Sequence, residues 1–298
     1  MMEIRVLRYF LMVAREENIT KAAELLHITQ PTLSRQLMQL EIELGTKLFE
    51  RSSHNIRLTE DGMLLKRRAQ ELVQLADKTE QEFKRGEEQI SGSIAIGSGE
   101  TNNVQVIADI IRKFQSEYPM VQYDLYTANA DDIKERIDKG ILDIGLLMEP
   151  VDITKYSFIR LNRKERWGLL VSYDSELAGK SSVSAEDLLD VPVFLPQRPI
   201  LRNEVEGWLG EYYDQIHVTG TYNLINNAAV MVEKNVGAAF CFRLENRYDN
   251  LKFIPLSPAL ETGAVIVWKK AQVVSRTMHR FINYIKQYKD ILETEDDA

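Results

Sequence analysis

Residues 22–36 read Ala22-Ala23-Glu24-Leu25-Leu26-His27-Ile28-Thr29-Gln30-Pro31-Thr32-Leu33-Ser34-Arg35-Gln36. The stretch spans two short helical segments and the break between them. Ala22, Ala23, Leu25 and Leu26 face inward on a helix for which Thr20 is the expected N-cap. His27-Ile28-Thr29 is a brief turn. Thr29 then caps a second helix, and Pro31 sits in its first turn, where a missing N–H costs nothing. That helix runs through Leu33, Leu37, Leu40 and Leu44 and stops at Gly45. Upstream, Ile4, Leu7, Phe10, Leu11 and Ala14 recur at helical spacing and predict a supporting helix, broken at Glu17-Asn18. Spacing alone leaves two readings open, a plain three-helix domain or a helix-turn-helix. In the second reading the later helix projects and is narrow enough for the DNA major groove. Its exposed start would present Gln30, Thr32, Ser34, Arg35 and Gln36, with Pro31 stiffening the entry. Gln and Arg suit bidentate contact with base edges, and Ser and Thr suit bases or phosphates.

The match extends beyond this stretch. Leu40-Glu41-Ile42-Glu43-Leu44-Gly45-Thr46-Lys47-Leu48-Phe49-Glu50-Arg51 follows, and Leu58-Thr59-Glu60-Asp61-Gly62 closes it. Together these residues resemble the signature of the bacterial LysR-type transcriptional regulators. The resemblance implies a winged helix-turn-helix, all-α with a small β wing formed by Phe49 to Leu58. The run Arg51-Ser52-Ser53-His54-Asn55-Ile56-Arg57 contains no acid. By charge alone it is a solvated loop. The resemblance makes Arg51, Ser53, His54 and Arg57 expected contacts to phosphates or the minor groove.

From Thr59 to Arg85 there is no proline, and Gly62 is the one glycine. Thr59 can cap a long helix here, and Glu60-Asp61 suit its positive end. Leu58, Gly62, Leu65, Ala69, Leu72, Ala76, Thr79 and Phe83 follow 4-3 spacing, which is a heptad seam. Such a stripe can pack on its own domain. The narrow stripe and charged flanks favour a dimer seam instead, and the resemblance implies a dimerising linker helix.

Residues 91–298 alternate strand and helix patterns. Ile94–Gly97, Val121–Tyr126 and Leu142–Leu147 read as strands around helices Val104–Tyr118 and Asp131–Lys139. This order implies a mostly parallel, doubly wound sheet. Further strands are expected at Trp167–Val171, Val193–Leu195, Val218–Thr221, Ala238–Phe242 and Ala264–Trp268. Further helices are expected at Asn203–Tyr213, Asn226–Asn235 and Ser275–Tyr288. Phe114, Tyr118-Pro119 and Gly140-Ile141-Leu142-Asp143-Ile144 are similar to the effector domain of the same family. The resemblance implies a two-lobed α/β fold like a periplasmic binding protein. The expected organisation is residues 1–59 as DNA-binding domain, 60–90 as linker helix and 91–298 as effector domain. Lobe one is placed at 91–160 and 269–298 and lobe two at 161–268, with crossings near Leu146–Arg160 and Val267–Val274.

Ligands of such folds sit at the carboxyl ends of strands. That singles out Ser98, Gly99, Glu100, Thr101, Asn129, Met148, Gln197, Arg198 and Asn223 as effector-binding candidates. Amides at Thr101 and Asn129 could hold an anion, and Arg198 could pair with a carboxylate. Glu100 stands where the family often has a small polar residue. Its carboxylate would repel an anionic ligand or bind an amine or sugar hydroxyl. Taken singly, each of these residues is equally explained by capping, turn or surface chemistry.

Composition sets the remaining bounds. The chain has 298 residues, 37 Lys and Arg, 45 Asp and Glu, and a net charge of −8. Taken whole, that argues against nucleic acid. Residues 1–68 are nevertheless net +2, residues 69–90 net −3 and the remainder net −7. One cysteine, Cys241, excludes an intrachain disulfide framework and fits a reducing, cytoplasmic setting. No run approaches the roughly 20 apolar residues of a membrane span. The histidines His27, His54, His217 and His279 are scattered, and there is no phosphate loop, nucleophile elbow or zincin motif. No catalytic residue, metal or cofactor is expected. The expected partners are double-stranded DNA, a small-molecule effector, RNA polymerase and the chain itself, as a homodimer or homotetramer.

Overall fold

The computed structural model describes residues 2–51, 56–83, 90–243, 248, 250–270 and 274–295. Ser53 and His54 lie outside the described residues. The chain divides into two units at residues 87 and 88. The long helix therefore belongs with the N-terminal domain and is not a separate body.

In the first unit, helix α1 (Ile4–Glu16) ends at Glu17, whose φ of 49° turns the chain left-handed. Helix α2 (Ile19–Leu25) is capped by Asn18, whose side chain accepts from the Lys21 N–H at 3.0 Å. Thr20, the expected cap, lies inside the helix; asparagine is the stronger cap and comes first. Helix α3 (Gln30–Leu44) starts at Thr29, with Pro31 in its first turn, and ends at Gly45, φ 69°. Thr29 contributes the extended backbone of a cap, and its hydroxyl contacts that of Thr32 at 2.8 Å. Leu7, Phe10, Val13, Ala22, Ala23, Leu33, Leu37 and Leu40 form the core. Leu25, expected inside, is 46% exposed, because Ala22 and Ala23 already fill the space between helices. Strands β1 (Phe49–Arg51) and β2 (Ile56–Leu58) pair antiparallel as the wing, with Glu50 opposite Arg57.

Helix α4 (Glu60–Phe83) is capped by Thr59, whose Oγ1 accepts from the Gly62 N–H at 2.9 Å and donates to the Lys47 carbonyl at 2.6 Å. The heptad stripe divides between two environments. Gly62 and Ala69 are buried and Leu65 half-buried against the unit's own core, while Leu72 and Thr79 are exposed. The Arg8 guanidinium on α1 grips Asp77 on α4 through both of its terminal nitrogens. The first half of the stripe thus packs within the domain. The exposed leucines Leu64, Leu72 and Leu75 lie on an adjacent side of the helix.

The second unit holds one nine-stranded sheet, ordered β4-β3-β5-β11-β6-β9-β7-β8, with β10 on β6. The parallel trio β3 (Gly92–Ser98), β4 (Val121–Thr127) and β5 (Ile144–Met148) forms one lobe. Helices α5 (Val104–Glu117) and α9 (Arg276–Glu295) pack over one set of its core residues. Helix α6 (Ala130–Asp138) packs over another. The other lobe has the parallel trio β7 (Val193–Pro196), β8 (Val218–Tyr222) and β9 (Ala238–Phe242). Helices α7 (Pro199–Leu209) and α8 (Ile225–Glu233) each contribute to a core cluster there.

Strand β6 (Tyr156–Ser172) runs through both lobes, and β11 (Glu261–Lys269) pairs with it from Tyr156–Lys269 to Arg166–Glu261. β11 also ladders onto β5 from Gly145–Val267 to Met148–Ala264. The expected crossings therefore shift. Residues 264–268 belong to lobe one, and the chain crosses near 161–166 and 261–263 instead of 146–160 and 267–274. The reason is visible in the sequence. Arg160 to Arg166 is nearly all polar, yet strand continues through it because β11 pairs with Arg160 and Leu161 on one side of a bulge and with Glu165 and Arg166 on the other. Strand β10 (Leu251–Pro255), also unexpected, pairs with the end of β6.

Gly62 carries a steric demand that the heptad reading missed. A Cβ there would lie 2.1 Å from the Leu48 carbonyl oxygen. Gly62→Ala should therefore destabilise the first unit by about 1–3 kcal/mol, read as a lower unfolding midpoint in thermal denaturation of the full chain.

Candidate functional site

Two surfaces carry the sequence-derived residues, one in each unit. In the first unit, Gln30, Pro31, Thr32 and Arg35 are exposed on the first turns of α3, and Ser34 and Gln36 are half-buried. Gln30 Nε2 donates to Ser34 Oγ at 2.9 Å. Arg57 is exposed on the wing strand, and the Arg51 backbone lies opposite Ile56. The helix presents donors and acceptors of both kinds at its N-terminal end, the end that meets base edges in a helix-turn-helix.

What ties this helix to the wing is Glu41, a residue with no exposed role. It is 6% exposed. Its Oε1 accepts from the Leu48 N–H at 2.9 Å and the Phe49 N–H at 3.3 Å, and its Oε2 from Lys47 Nζ at 2.9 Å. Burial pushes the carboxyl upward, but the Lys47 ammonium and the two amides outweigh it and hold it below its ordinary range.

In the second unit a small cleft, with a cavity volume of about 90 Å³, opens between the lobes at the carboxyl ends of the strands. Gly99, Glu100, Asn129, Met148, Arg198 and Asn223 line it. The other sequence candidates lie off it. Ser98 turns its hydroxyl to the Gly99 carbonyl at 2.8 Å. Thr101 is 6% exposed and donates to the buried Glu165. Gln197 is exposed, and its backbone N–H is spent on the Tyr222 carbonyl at 2.7 Å. The apolar wall includes Leu147, at a strand end expected to face the ligand, and Leu146, Trp167, Leu201, Cys241 and Phe242, which sequence reasoning did not assign. Trp167 is fully buried, meets the tilted ring of Phe242 at 4.3 Å between centroids and donates to Thr262 Oγ1 at 2.8 Å. The unassigned residues read as ordinary core in sequence; β6 carries Trp167 to the cleft, and the others come from β5, α7 and β9.

Charge in the cleft is internally paired. Arg198 Nε meets Asp131 Oδ2 at 3.3 Å, bridging the lobes, so the arginine expected for a ligand already has a protein partner. Glu100 reaches from lobe one to the start of α8, where it accepts from the Ile225 N–H and the Asn226 amide. Burial raises the Glu100 carboxyl, and the two donors only partly offset it. Burial pushes the Cys241 thiol up to about 12, which leaves it a poor nucleophile.

Two family models match the chain. One is the LysR substrate binding domain, over residues 87–290. The other is the bacterial regulatory helix-turn-helix protein, lysR family, over residues 4–63. This chain belongs to the LysR family of transcriptional regulators. It is a DNA-binding regulator with a helix-turn-helix and a two-lobed effector-binding domain. The regulator BudR of Raoultella terrigena is 29% identical over 298 residues, covering 94% of this chain and 99% of BudR. YybE of Bacillus subtilis (strain 168) is 32% identical over 295 residues, covering 95% of this chain and 98% of YybE. In fold, the LysR regulator CbnR in complex with its target DNA matches with a TM-score of 0.74 at 21% identity, covering 96% of this chain and 99% of CbnR.

For this LysR-family chain, Glu41 couples α3 to the wing through charge. A carboxyl held low contributes stability that is complete above its unfolded value, about 4.3, and is lost as pH falls through the folded value. Glu41→Gln should therefore lower the thermal midpoint at pH 7, and the gap to the unaltered protein should shrink when both are measured at pH 4.

Proposed function

We propose that the first turns of α3 read operator bases in the major groove while the wing contacts the backbone beside it. Gln30, Thr32, Ser34, Arg35 and Gln36 serve the groove, and Arg57, together with Arg51, Ser53 and His54, serves phosphates or the minor groove. The observation that carries this reading is the exposure of Gln30, Thr32 and Arg35 on one end of a helix whose opposite face is fully packed. The unit's net charge is small, so affinity rests on few phosphate contacts per subunit and on pairing of two subunits. Arg35→Ala should cost about 1–3 kcal/mol of specific binding in a gel shift with the operator. Arg57→Ala should weaken all sequences alike and reduce the salt slope by about 1.

We further propose that α4 pairs with α4 of a second copy. The first half of the heptad stripe is used inside the domain. Leu64, Leu72 and Leu75, exposed at 60%, 38% and 39%, form the seam in its place. A two-fold dimer then reads two half-sites, and two dimers form the tetramer. Leu72→Glu with Leu75→Glu should shift the chain toward monomer in sedimentation equilibrium and abolish the operator footprint at concentrations where the unaltered protein protects both half-sites.

The cleft is proposed as the effector site. A ligand that binds one lobe arrangement better than another shifts the balance of assembly states, and through them contact with RNA polymerase. The reading carries no catalytic role and places the protein in the cytoplasm. Among the described residues, no cluster of three His, Cys, Asp or Glu side chains could hold a metal, and no helix is long and apolar enough to cross a membrane.

A further inference from the structure

We infer that the cleft selects an effector without a carboxylate or phosphate, an apolar-bodied molecule with hydroxyl or N–H donors, and that Glu100 sets this choice. The inference rests on the reading of the cleft as the effector site.

Two helix starts and one arginine at the cleft, and a third helix start just off it, could hold an anion, and the protein's own groups occupy all four. The start of α6 is closed by Asn129, whose Oδ1 accepts from the Asp131 N–H at 2.9 Å and the Asp132 N–H at 3.0 Å. Ahead of α5, Glu165 accepts from the Asn103 N–H at 2.8 Å, the Asn103 side-chain amide at 2.9 Å and the Thr101 hydroxyl. The start of α8 is taken by Glu100 itself. Arg198, the one cation among the described residues that line the cleft, is 10% exposed and paired with Asp131. An incoming anion would thus meet no unpaired positive group and would stand beside a half-buried carboxylate. A like charge at that range disfavours the charged form.

The same geometry favours a donor. A carboxylate offers about four acceptor positions, and the Ile225 and Asn226 groups use two of those on Glu100. The same cleft is lined by Leu147, Met148, Trp167 and Phe242, which suit an apolar body. A hydroxyl or amine on such a body can reach Glu100 without displacing it from α8.

The test uses the full chain at pH 8 and three size-matched probes: benzyl alcohol, benzylamine and benzoate. Occupancy is read from the Met148 methyl resonance in ¹³C-methyl-methionine spectra, assigned with Met148→Leu. The alcohol and amine should shift that resonance with benzoate at least about tenfold weaker, the scale of one pKa unit of repulsion. Glu100→Gln should narrow the gap. Glu100→Ser, which also frees the start of α8, should make benzoate the preferred probe. Benzoate binding the unaltered cleft as tightly as benzyl alcohol would overturn the inference and leave the effector site standing. Equal weakening of all three probes in both variants would reduce Glu100 to a structural brace and overturn it as well. A Met148 resonance that no probe moves in any of the three proteins would overturn the effector reading, and this inference with it.

Discussion

The antiparallel ladder between β6 and β11 is the constraint on which the second unit depends. It runs from Tyr156–Lys269 to Arg166–Glu261 and is the seam through which both lobes share one sheet. Backbone hydrogen bonds hold it, because a strand such as Arg160 to Arg166 has little apolar surface to bury. Two consequences follow for the cleft. Trp167 arrives at its floor because β6 continues into the second lobe, and Met148 arrives because β5 pairs with β11 from the first. The bulge between Thr262 and Ala264 falls at the crossing itself, where the ladder leaves one lobe for the other. Adjustment between the lobes is therefore concentrated in a few residues of two strands, and the cores on either side can stay packed.

Three carboxylates show how this acidic chain uses its charge. Glu41 joins α3 to the wing, Glu165 holds the loop before α5, and Glu100 reaches the start of α8. Each accepts at least one backbone N–H. A buried carboxylate is costly unless its lone pairs are filled, so each of these positions favours the one arrangement of its two segments in which the donors are in place. Net charge does not reveal this, since it counts a carboxylate that fastens a loop the same as one in water.

Much of the fold was legible in the sequence. Where apolar periodicity was strong, as in α1, α3, α5 and β9, the elements fall close to their expected residues. The family signature gave the wing, which three-residue strands could never have announced by pattern. What stayed hidden was set by partners distant in sequence. The polar half of β6 is strand because β11 lies beside it. The stripe on α4 satisfies a heptad and an intramolecular helix contact equally well, and only the tertiary neighbours, Leu48 and Leu58 against Gly62 and the domain core against Leu65 and Ala69, decide that these residues face inward. Glu100 was legible as an oddity, but its engagement with α8 depends on two lobes meeting across more than a hundred residues of chain.

The candidate effector residues divide along the same physical line. Gly99, Asn129, Met148 and Asn223 reach the cleft because strand ends in this fold point there whatever the side chain. Thr101 does not, because the carboxylate of Glu165, on the far strand, is a stronger acceptor for its hydroxyl than a solvated cleft would be. Arg198 reaches the cleft but is matched by Asp131 from the opposite lobe. Topology thus fixes which positions can meet a ligand, while the acids of this particular chain fix which of them remain free to do so. For that reason the chemistry of the effector is better read from Glu100, Asp131 and Glu165 than from the loop positions that the fold shares with its relatives.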